Sequence, residues 1–288
     1  MRAPSWLAVV GLGLDLLGAS GCGGSDGAVG AVVAPAERSI QAPPRIAAAG
    51  ELVICSDVNY PPLEFRGESK QPVGSDIDVA TEIARRLGVR LRVVDVPFDR
   101  IITKLLRGKC DLIASAMNNT PERREQVDFV DYLAVGQSLM VQWGNPEHIS
   151  GPQDLAGLRA AAQRGTTNAD FLEDASEALA ARGDEPIDVK LFPTDPEAVG
   201  ALRAGNVHAY FADSPVVAYQ ITRFSGDFEF AGDPINPLPV GLAVRKGEPD
   251  LRAATARAIA GMYRDGTMKQ ILSRWAMSDF ALERPPGG

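Results

Sequence analysis

Apolar and polar positions in this chain keep two rhythms. Short apolar runs bounded by Pro, Gly, Asn and Asp predict strands, and apolar residues three and four apart predict helices. Residues 51–55, Glu-Leu-Val-Ile-Cys, form a strand that ends in the breaker-rich loop 56–62. Residues 75–87 predict a helix with Ile77, Ala80, Ile83, Ala84 and Leu87 on one face and Gly88 closing it. A strand follows at 90–96, a helix at 99–107 stopped by Gly108, and a strand at 110–115. This β-α-β-α-β order implies a parallel sheet. The grammar then repeats: strand 158–162, a helix from Gly165-Thr166-Thr167 to about 181, strand 189–192, helix 196–204 and strand 207–212. Ser214-Pro215 opens another helix, 240–244 reads as a strand returning to the first half, and amphipathic helices cover 249–275.

Residues 105–116 and 202–213 share one plan. In each, a helix is stopped by glycine (Gly108, Gly205), and an apolar strand follows that ends on a small or acidic polar residue. Ligands of open α/β sheets sit beyond the carboxyl ends of strands. Two such units predict two lobes facing one crevice, with chain crossings near 138–142 and 236–241 acting as a hinge. The first unit leads to Arg123 and the second ends on Asp213. A guanidinium from one lobe and a carboxylate from the other suit an amino-acid zwitterion.

The 288 residues suffice for two domains. A net charge of −8 without a basic patch excludes a nucleic-acid surface. Residues 1–22 read as a secretory signal: Arg2, an apolar run from 6 to 17, then small residues before Cys22. The ending resembles a lipobox, which makes Cys22 the lipidated residue of a mature lipoprotein; ordinary secretion is the alternative. Residues 23–49, rich in Gly, Ala, Ser and Pro, predict a flexible tether, and 284–288 a disordered tail. Cys55 and Cys110 fall in separate predicted strands, offset by about three residues at ~3.3 Å each. The expectation is two buried structural thiols without a disulfide. His148 and His208 lack a ligand pattern, so neither metal nor cofactor is expected.

Tyr60-Pro-Pro-Leu-Glu64, Val73-Gly-Ser-Asp-Ile-Asp78, Thr120-Pro-Glu-Arg123, Gly165-Thr-Thr167, Asp213-Ser-Pro215 and Val244-Arg-Lys-Gly247 occur in this order. Over roughly 48–283 the chain resembles the polar amino-acid family of bacterial extracellular solute-binding proteins, which feed ABC importers. The resemblance implies an α/β, two-lobed periplasmic-binding-protein type II fold. Lobe 1 would hold 50–138 and 241–283, and lobe 2 would hold 139–240. It also implies that Arg123, in the first turn of a helix capped by Thr120, grips the ligand carboxylate. Thr167 and Thr166, at the next helix start, would donate beside it or serve as a plain cap. Asp213 would pair with the ammonium, unless it only caps its own helix. Ser115, Ala116 and Met117 would offer backbone groups and a hydroxyl, and Asn118 a further polar contact. Tyr60 and Phe98 would sandwich the ligand side chain, although either could be core. Asp57 would reach its far end. Gln163 stands where some relatives place a lysine, which favours a polar-neutral or basic amino acid over an acidic one. Ser75 replaces the aromatic usual before Asp76, which implies looser packing there.

The expected function is capture of an amino acid by a monomer that meets a membrane permease and touches the membrane only through its lipid. The alternatives are a cyclohexadienyl-type dehydratase on the same fold and an amino-acid sensing protein. A dehydratase needs a general acid over the leaving hydroxyl, and no separate carboxylate is evident at the second lobe's strand end. Sensors and peptidoglycan lyases need sequence after the binding body, so neither is expected of a chain ending at 288.

Overall fold

The computed structural model describes the backbone of residues 28–29 and all of residues 39–283. The signal segment, Cys22 and the 284–288 tail lie outside them. The first half contains β1 (Ala28–Val29), α1 (Pro44–Ala49), β2 (Glu51–Ser56), β3 (Asn59–Tyr60), β4 (Glu64–Arg66), β5 (Pro72–Val73) and α2 (Ser75–Leu87). It continues through β6 (Arg90–Asp95), α3 (Ile101–Leu106), β7 (Leu112–Ile113) and α4 (Pro121–Gln126). The long β8 (Val127–Gln142) leads to β9 (Arg159–Gln163), α5 (Thr167–Ala181), β10 (Asp188–Phe192), α6 (Asp195–Arg203), β11 (Ala209–Asp213) and α7 (Ser214–Arg223). The equally long β12 (Phe228–Arg245) returns the chain to α8 (Pro249–Asp265) and α9 (Thr267–Arg274).

One sheet runs through both halves in the order β1-β6-β2-β7-β12-β8-β11-β9-β10. Strands β6, β2 and β7 are parallel, as are β11, β9 and β10. The antiparallel pairs come from β1 and from the connectors β8 and β12. Strands β2, β7, β9 and β11 are buried on both faces, so their residues divide by parity. Leu52 and Ile54 pack with α2 and α8, while Val53 and Cys55 pack with Ile101 and Leu105 of α3. In the second half Tyr210 faces α6 and α7, and Phe211 faces α5. Double burial explains why these strands read as continuous apolar runs rather than alternations.

The register of β8 against β12 slips at 231/235, 235/238 and 240/241. Residues 127–135 of β8 pair with β12, Leu133 adding an isolated bridge to Ala281, whereas 137–141 pair with both β12 and β11. The change of partners on β8 falls between Val135 and Gln137, next to the predicted crossing at 138–142. The crossing on β12 falls in Ile235-Asn-Pro-Leu-Pro239, whose prolines the strand carries at its irregular stretch.

Two expectations are corrected. Residues 23–49 are not all tether, because the packed body begins near residue 39. The N–H groups of Ser39 and Ile40 both donate to Arg86 O, at 3.0 and 2.9 Å. Pro44 starts α1 at N1, Ile46 is 1% exposed, and Gly50 closes the helix with φ 64°. Ala28–Val29 adds an antiparallel edge to β6. The second correction is a disulfide joining Cys55 and Cys110, with Cα atoms 5.6 Å apart. The strand begins at Leu112, and its register pairs Cys55 with Ile113. An extended chain would carry Cys110 away, but the segment before β7 is not extended. Asp111 N–H bonds Val53 O at 2.7 Å, and the Asp111 carboxylate accepts from Val53 N–H at 2.8 Å. That pair of bonds turns the chain back over Cys55.

The bridge spans 55 residues, and closing a loop of that size in the unfolded chain is worth about 4 kcal/mol in the chain-entropy model. A Cys55→Ala/Cys110→Ala variant is expected to melt roughly 10 °C lower by calorimetry.

Candidate functional site

The carboxyl ends of β2, β7, β9 and β11 meet between the two halves, and each delivers a polar side chain. Asp57 follows β2: its N–H donates to Ser115 Oγ at 2.9 Å, its Oδ1 accepts from Asn59 and its Oδ2 accepts from Gln163 Nε2 at 2.6 Å. Gln163 is the last residue of β9. Ser115 and Ala116 follow β7. Ser115 Oγ donates to Glu64 Oε1 at 2.8 Å, and Ala116 N–H donates to Asp76 Oδ2 at 2.8 Å. Ala116 sits in the left-handed region (φ 44°), a strained conformation for a residue with a Cβ, and the bond to Asp76 holds it there. Gly74 makes this possible from below. A Cβ at its φ of 130° would lie 2.1 Å from Leu63 O, so only glycine lets the start of α2 lie against the 62–64 segment. Asp76 and Glu64 are thereby fixed side by side.

Asp213 ends β11 and occupies the N-cap position of α7, but its side chain makes no cap bond. Its Oδ1 instead accepts from Asn168 Nδ2 at 3.3 Å, and its N–H donates to Tyr60 OH at 3.1 Å. Thr166 is the cap of α5, accepting from Ala169 N–H at 3.2 Å. That leaves the Thr167 hydroxyl free to donate to Asn118 Oδ1 at 2.7 Å. Thr120 caps α4 through Arg123 N–H, at 3.3 Å. The Arg123 guanidinium lies 5.4 Å from the Phe98 ring centroid and donates to Asn118 O and Gly165 O, both at 3.1 Å. It forms no ion pair among the described residues.

These bonds have a common feature. Asp57–Gln163, Tyr60–Asp213, Asn118–Thr167 and Arg123–Gly165 all join the first half to the second. They close over a cavity of about 10 Å³, measured at the centre of a water-sized sphere, which is room for one water. An amino acid enters only if the halves part. Of the twelve predicted residues, Asp57, Tyr60, Phe98, Ala116, Asn118, Gln163, Thr166 and Asp213 line this cavity. Arg123 and Thr167 stand at its edge through their bonds to Asn118. Ser115 is buried behind Glu64 and Asp57. Met117 packs its side chain into the α3 core, and its carbonyl accepts from Gly241 N–H. Ser75 is fully buried beside Asp76.

Glu64 and Asn168 also line the cavity, and sequence reasoning missed both. Glu64 was visible as the acid closing the Tyr60–Glu64 motif, and Asn168 as the polar residue after the Thr-Thr cap. Asn168 belongs to a chain of amides that reaches the crossing strands. Asn236 Nδ2 donates to Gln137 Oε1 at 2.9 Å, and Gln137 Nε2 donates to Asn168 Oδ1 at 2.7 Å. Gln137 is fully buried beside Asp213 in register, so the crossing and the site share one hydrogen-bonded path.

Acids dominate the electrostatics. Asp57, Glu64, Asp76 and Asp213 are at most 3% exposed. Burial pushes Asp76 and Asp213 up to about 6 and Glu64 well above the usual carboxylate range; Asp57 is raised for the same reason. Asn168, Tyr60 and Arg123 only partly offset the effect on Asp213. Burial also lowers the pKa of Arg123, against the attraction of Asp170, Asp213 and Glu122. The two predicted charges thus feel each other across the cleft. No group of three or more metal-ligating side chains occurs among the described residues.

Residues 52–278 match the model of the bacterial extracellular solute-binding proteins, family 3. An arginine-binding protein of Corynebacterium glutamicum, ArgT, is 31% identical over 251 residues, 86% of this chain and 81% of its own. Among solved structures, an ancestral arginine-binding protein bound to arginine aligns with a TM-score of 0.74 at 32% identity, covering 78% of this chain and 98% of that one. An ancestral amino acid-binding protein described as a precursor of cyclohexadienyl dehydratase aligns with a TM-score of 0.72 at 31% identity, covering 80% and 97%. By its motifs, its fold and a family match over most of its length, the chain belongs to the bacterial extracellular solute-binding proteins, family 3.

Proposed function

We propose that this protein is the substrate-binding component of an ABC importer and closes its two lobes on a polar or basic L-amino acid. The observation that carries the reading is the pairing of two unsatisfied charges from opposite halves. Arg123 has no carboxylate partner and Asp213 no cation in hydrogen-bond contact among the described residues, and both border one crevice. Arg123 takes the α-carboxylate, helped by Thr167 and by Asn118 Nδ2, a buried donor without a partner. Asp213 takes the α-ammonium. The side chain runs between Tyr60 and Phe98 toward Asp57 and Gln163, while Ser115, Ala116 and Met117 shape the wall. Lobe 1 comprises about 39–136 with 240–283, and lobe 2 the intervening segment; β8 and β12 are the hinge. The ligand contacts both lobes, so it binds the closed form better than the open one and shifts the population toward it.

In this reading the protein is an extracytoplasmic monomer held to the membrane by lipid on Cys22, and it delivers its closed form to a permease. The disulfide supports an oxidising compartment. No helix among the described residues is long and apolar enough to cross a membrane. Dehydration on this scaffold is less well supported. Besides Asp213, the second lobe places Asp195 three residues past the end of β10. It accepts from Tyr210 OH and Gln220 Nε2 and does not line the cavity.

A thermal-shift screen of the twenty amino acids is expected to raise the melting midpoint with one or two of them. Arg123→Ala is expected to weaken that binding at least about 100-fold, near 3 kcal/mol, while the fold persists. Isothermal titration against the wild type checks it.

Stability without ligand should also depend on pH. Burial raises Asp76 and Asp213 to about 6 and Asp195 to about 7, whereas an unfolded aspartate titrates near 3.9. Folding then takes up protons, so stability falls as pH rises through the folded values. Urea midpoints of the ligand-free protein are expected to be lower at pH 7.5 than at pH 5, and Asp195→Asn should flatten that slope.

A further inference from the structure

A second hollow lies between the two halves, a groove of about 350 Å³, within the roughly 300–1,000 Å³ of small-molecule sites. Tyr60 lines the small cavity, whereas its neighbours Asn59 and Pro61 line the groove, so the 59–61 segment stands between the two. The second half supplies two helix faces. Pro196, Gly200 and Arg203 come from α6, and Tyr219, Arg223 and Phe224 from the end of α7. The first half supplies β3 and β4, and the Phe65 ring meets that of Tyr219 across the halves, with centroids 5.7 Å apart. Gly200 has neither a backbone nor a packing reason to be glycine. It sits inside α6 without a positive φ, and a Cβ there would meet nothing within 4 Å. Glycine inside a helix is less stable than alanine, so what it preserves here is open space in the groove.

The groove is lined by three guanidiniums and no carboxylate. Arg66 is paired with Asp95, and Arg203 with Asp227 at 2.8 Å. Arg223 has no acid partner among the described residues. It donates to Tyr219 OH at 3.4 Å and lies 5.5 Å from the Phe224 ring centroid, with Arg203 4.8 Å from the same ring. Two acids stand behind the inner wall: Asn59 donates to Asp57 and the buried Gln220 donates to Asp195. An anion entering the groove is therefore drawn to the exposed guanidiniums at its mouth and repelled from its depth. Its apolar part faces inward, toward Val58, Phe65 and Val199.

We propose that this groove is a second ligand site, taking a one-ring aromatic monocarboxylate whose carboxylate rests on Arg223 and whose ring enters between Phe65 and the Gly200 face of α6. A guanidinium grips a carboxylate bidentately, and a planar ring packs well on aromatic walls. The site shares no residue with the Arg123–Asp213 clamp. Both halves line the groove, so its occupant binds the closed arrangement better than the open one. Affinity for the amino acid and affinity for the aromatic acid therefore rise together, by linkage. That link rests on the reading of the two halves as closing lobes; the site itself does not.

The probe is 3-phenylpropanoate, titrated into the protein by isothermal calorimetry, with propanoate as the control without a ring and 3-phenylpropanol as the control without a charge. The wild type should bind the probe at least about tenfold tighter than either control, and Arg223→Gln should lose at least about tenfold. Gly200→Leu, which fills the groove, should not bind it. Leucine is the better helix former, so this variant should melt no lower than the wild type, and its loss of the probe reads the groove rather than the fold. With the probe saturating, the amino acid found in the thermal-shift screen should bind at least about fivefold tighter to the wild type, and with unchanged affinity to Gly200→Leu. Probe binding no tighter than the controls, or equal in wild type and Gly200→Leu, would overturn the proposal. Competition between probe and amino acid would put the probe in the cleft and overturn it as well, and an unchanged amino-acid affinity would overturn the link to closure. A protein that binds the probe with the expected Arg223 and Gly200 dependence but none of the twenty amino acids keeps this site and fails the amino-acid reading; one that binds an amino acid but not the probe fails this inference alone.

Discussion

A charge removed from water needs an opposite charge or several donors within reach, and the cleft of this protein is arranged around that constraint. Four carboxylates lie buried where the lobes meet, and the guanidinium of Arg123 is the cation at that border. The molecule answers the imbalance in two ways. Burial raises the acids' pKa values, and polar groups of one lobe bond to those of the other. Each such bond contributes about 0.5–1.5 kcal/mol net, so the four together hold the lobes with roughly 2–6 kcal/mol. A ligand bound at micromolar affinity contributes about 8 kcal/mol. The latch can therefore keep the cleft shut and still yield to an amino acid that replaces its bonds.

The rest of the fold supplies rigid jaws and a compliant joint. Strands buried on both faces fix the positions of Asp57, Ser115, Gln163 and Asp213 at their carboxyl ends. Among the described residues only β8 and β12 carry the chain across, and their pairing is irregular where they do so. Gln137 sits at that crossing and bonds both Asn236 and Asn168. Hydrogen bonds thus link the crossing to the residue that bonds Asp213. The disulfide works on the other jaw, tying the end of β2 to the turn before β7 and so the Asp57 loop to the Ser115–Asn118 segment.

Much of this was legible in the chain because periodicity reports burial. The helix at 75–87, the parallel strands and the two strand-end units follow from apolar spacing alone, and Arg123 and Asp213 follow from where those units end. What was hidden depended on tertiary geometry. Cys110 was placed in an extended strand, and only the Asp111–Val53 bonds reveal the turn that brings it to Cys55. The helix at Pro44–Ala49 buries little beyond Ile46, too few apolar positions to show a period. The β8 crossing carries no breaker but Gly136, so its site had no local signal. Glu64 belongs to a three-residue strand, too short for alternation to say which way its side chain faces. Asn168 looked like an ordinary first-turn residue behind a threonine cap.

The most direct test of the central claim is a crystal structure of the protein grown with L-arginine. The account predicts one amino acid between the lobes, its carboxylate on the Arg123 guanidinium and its ammonium on the Asp213 carboxylate. The Asn118–Thr167 and Asp57–Gln163 bonds would be parted or rearranged around it. Arginine bound on one lobe only, or ordered density elsewhere with Arg123 still bonded to Gly165 O, would contradict it.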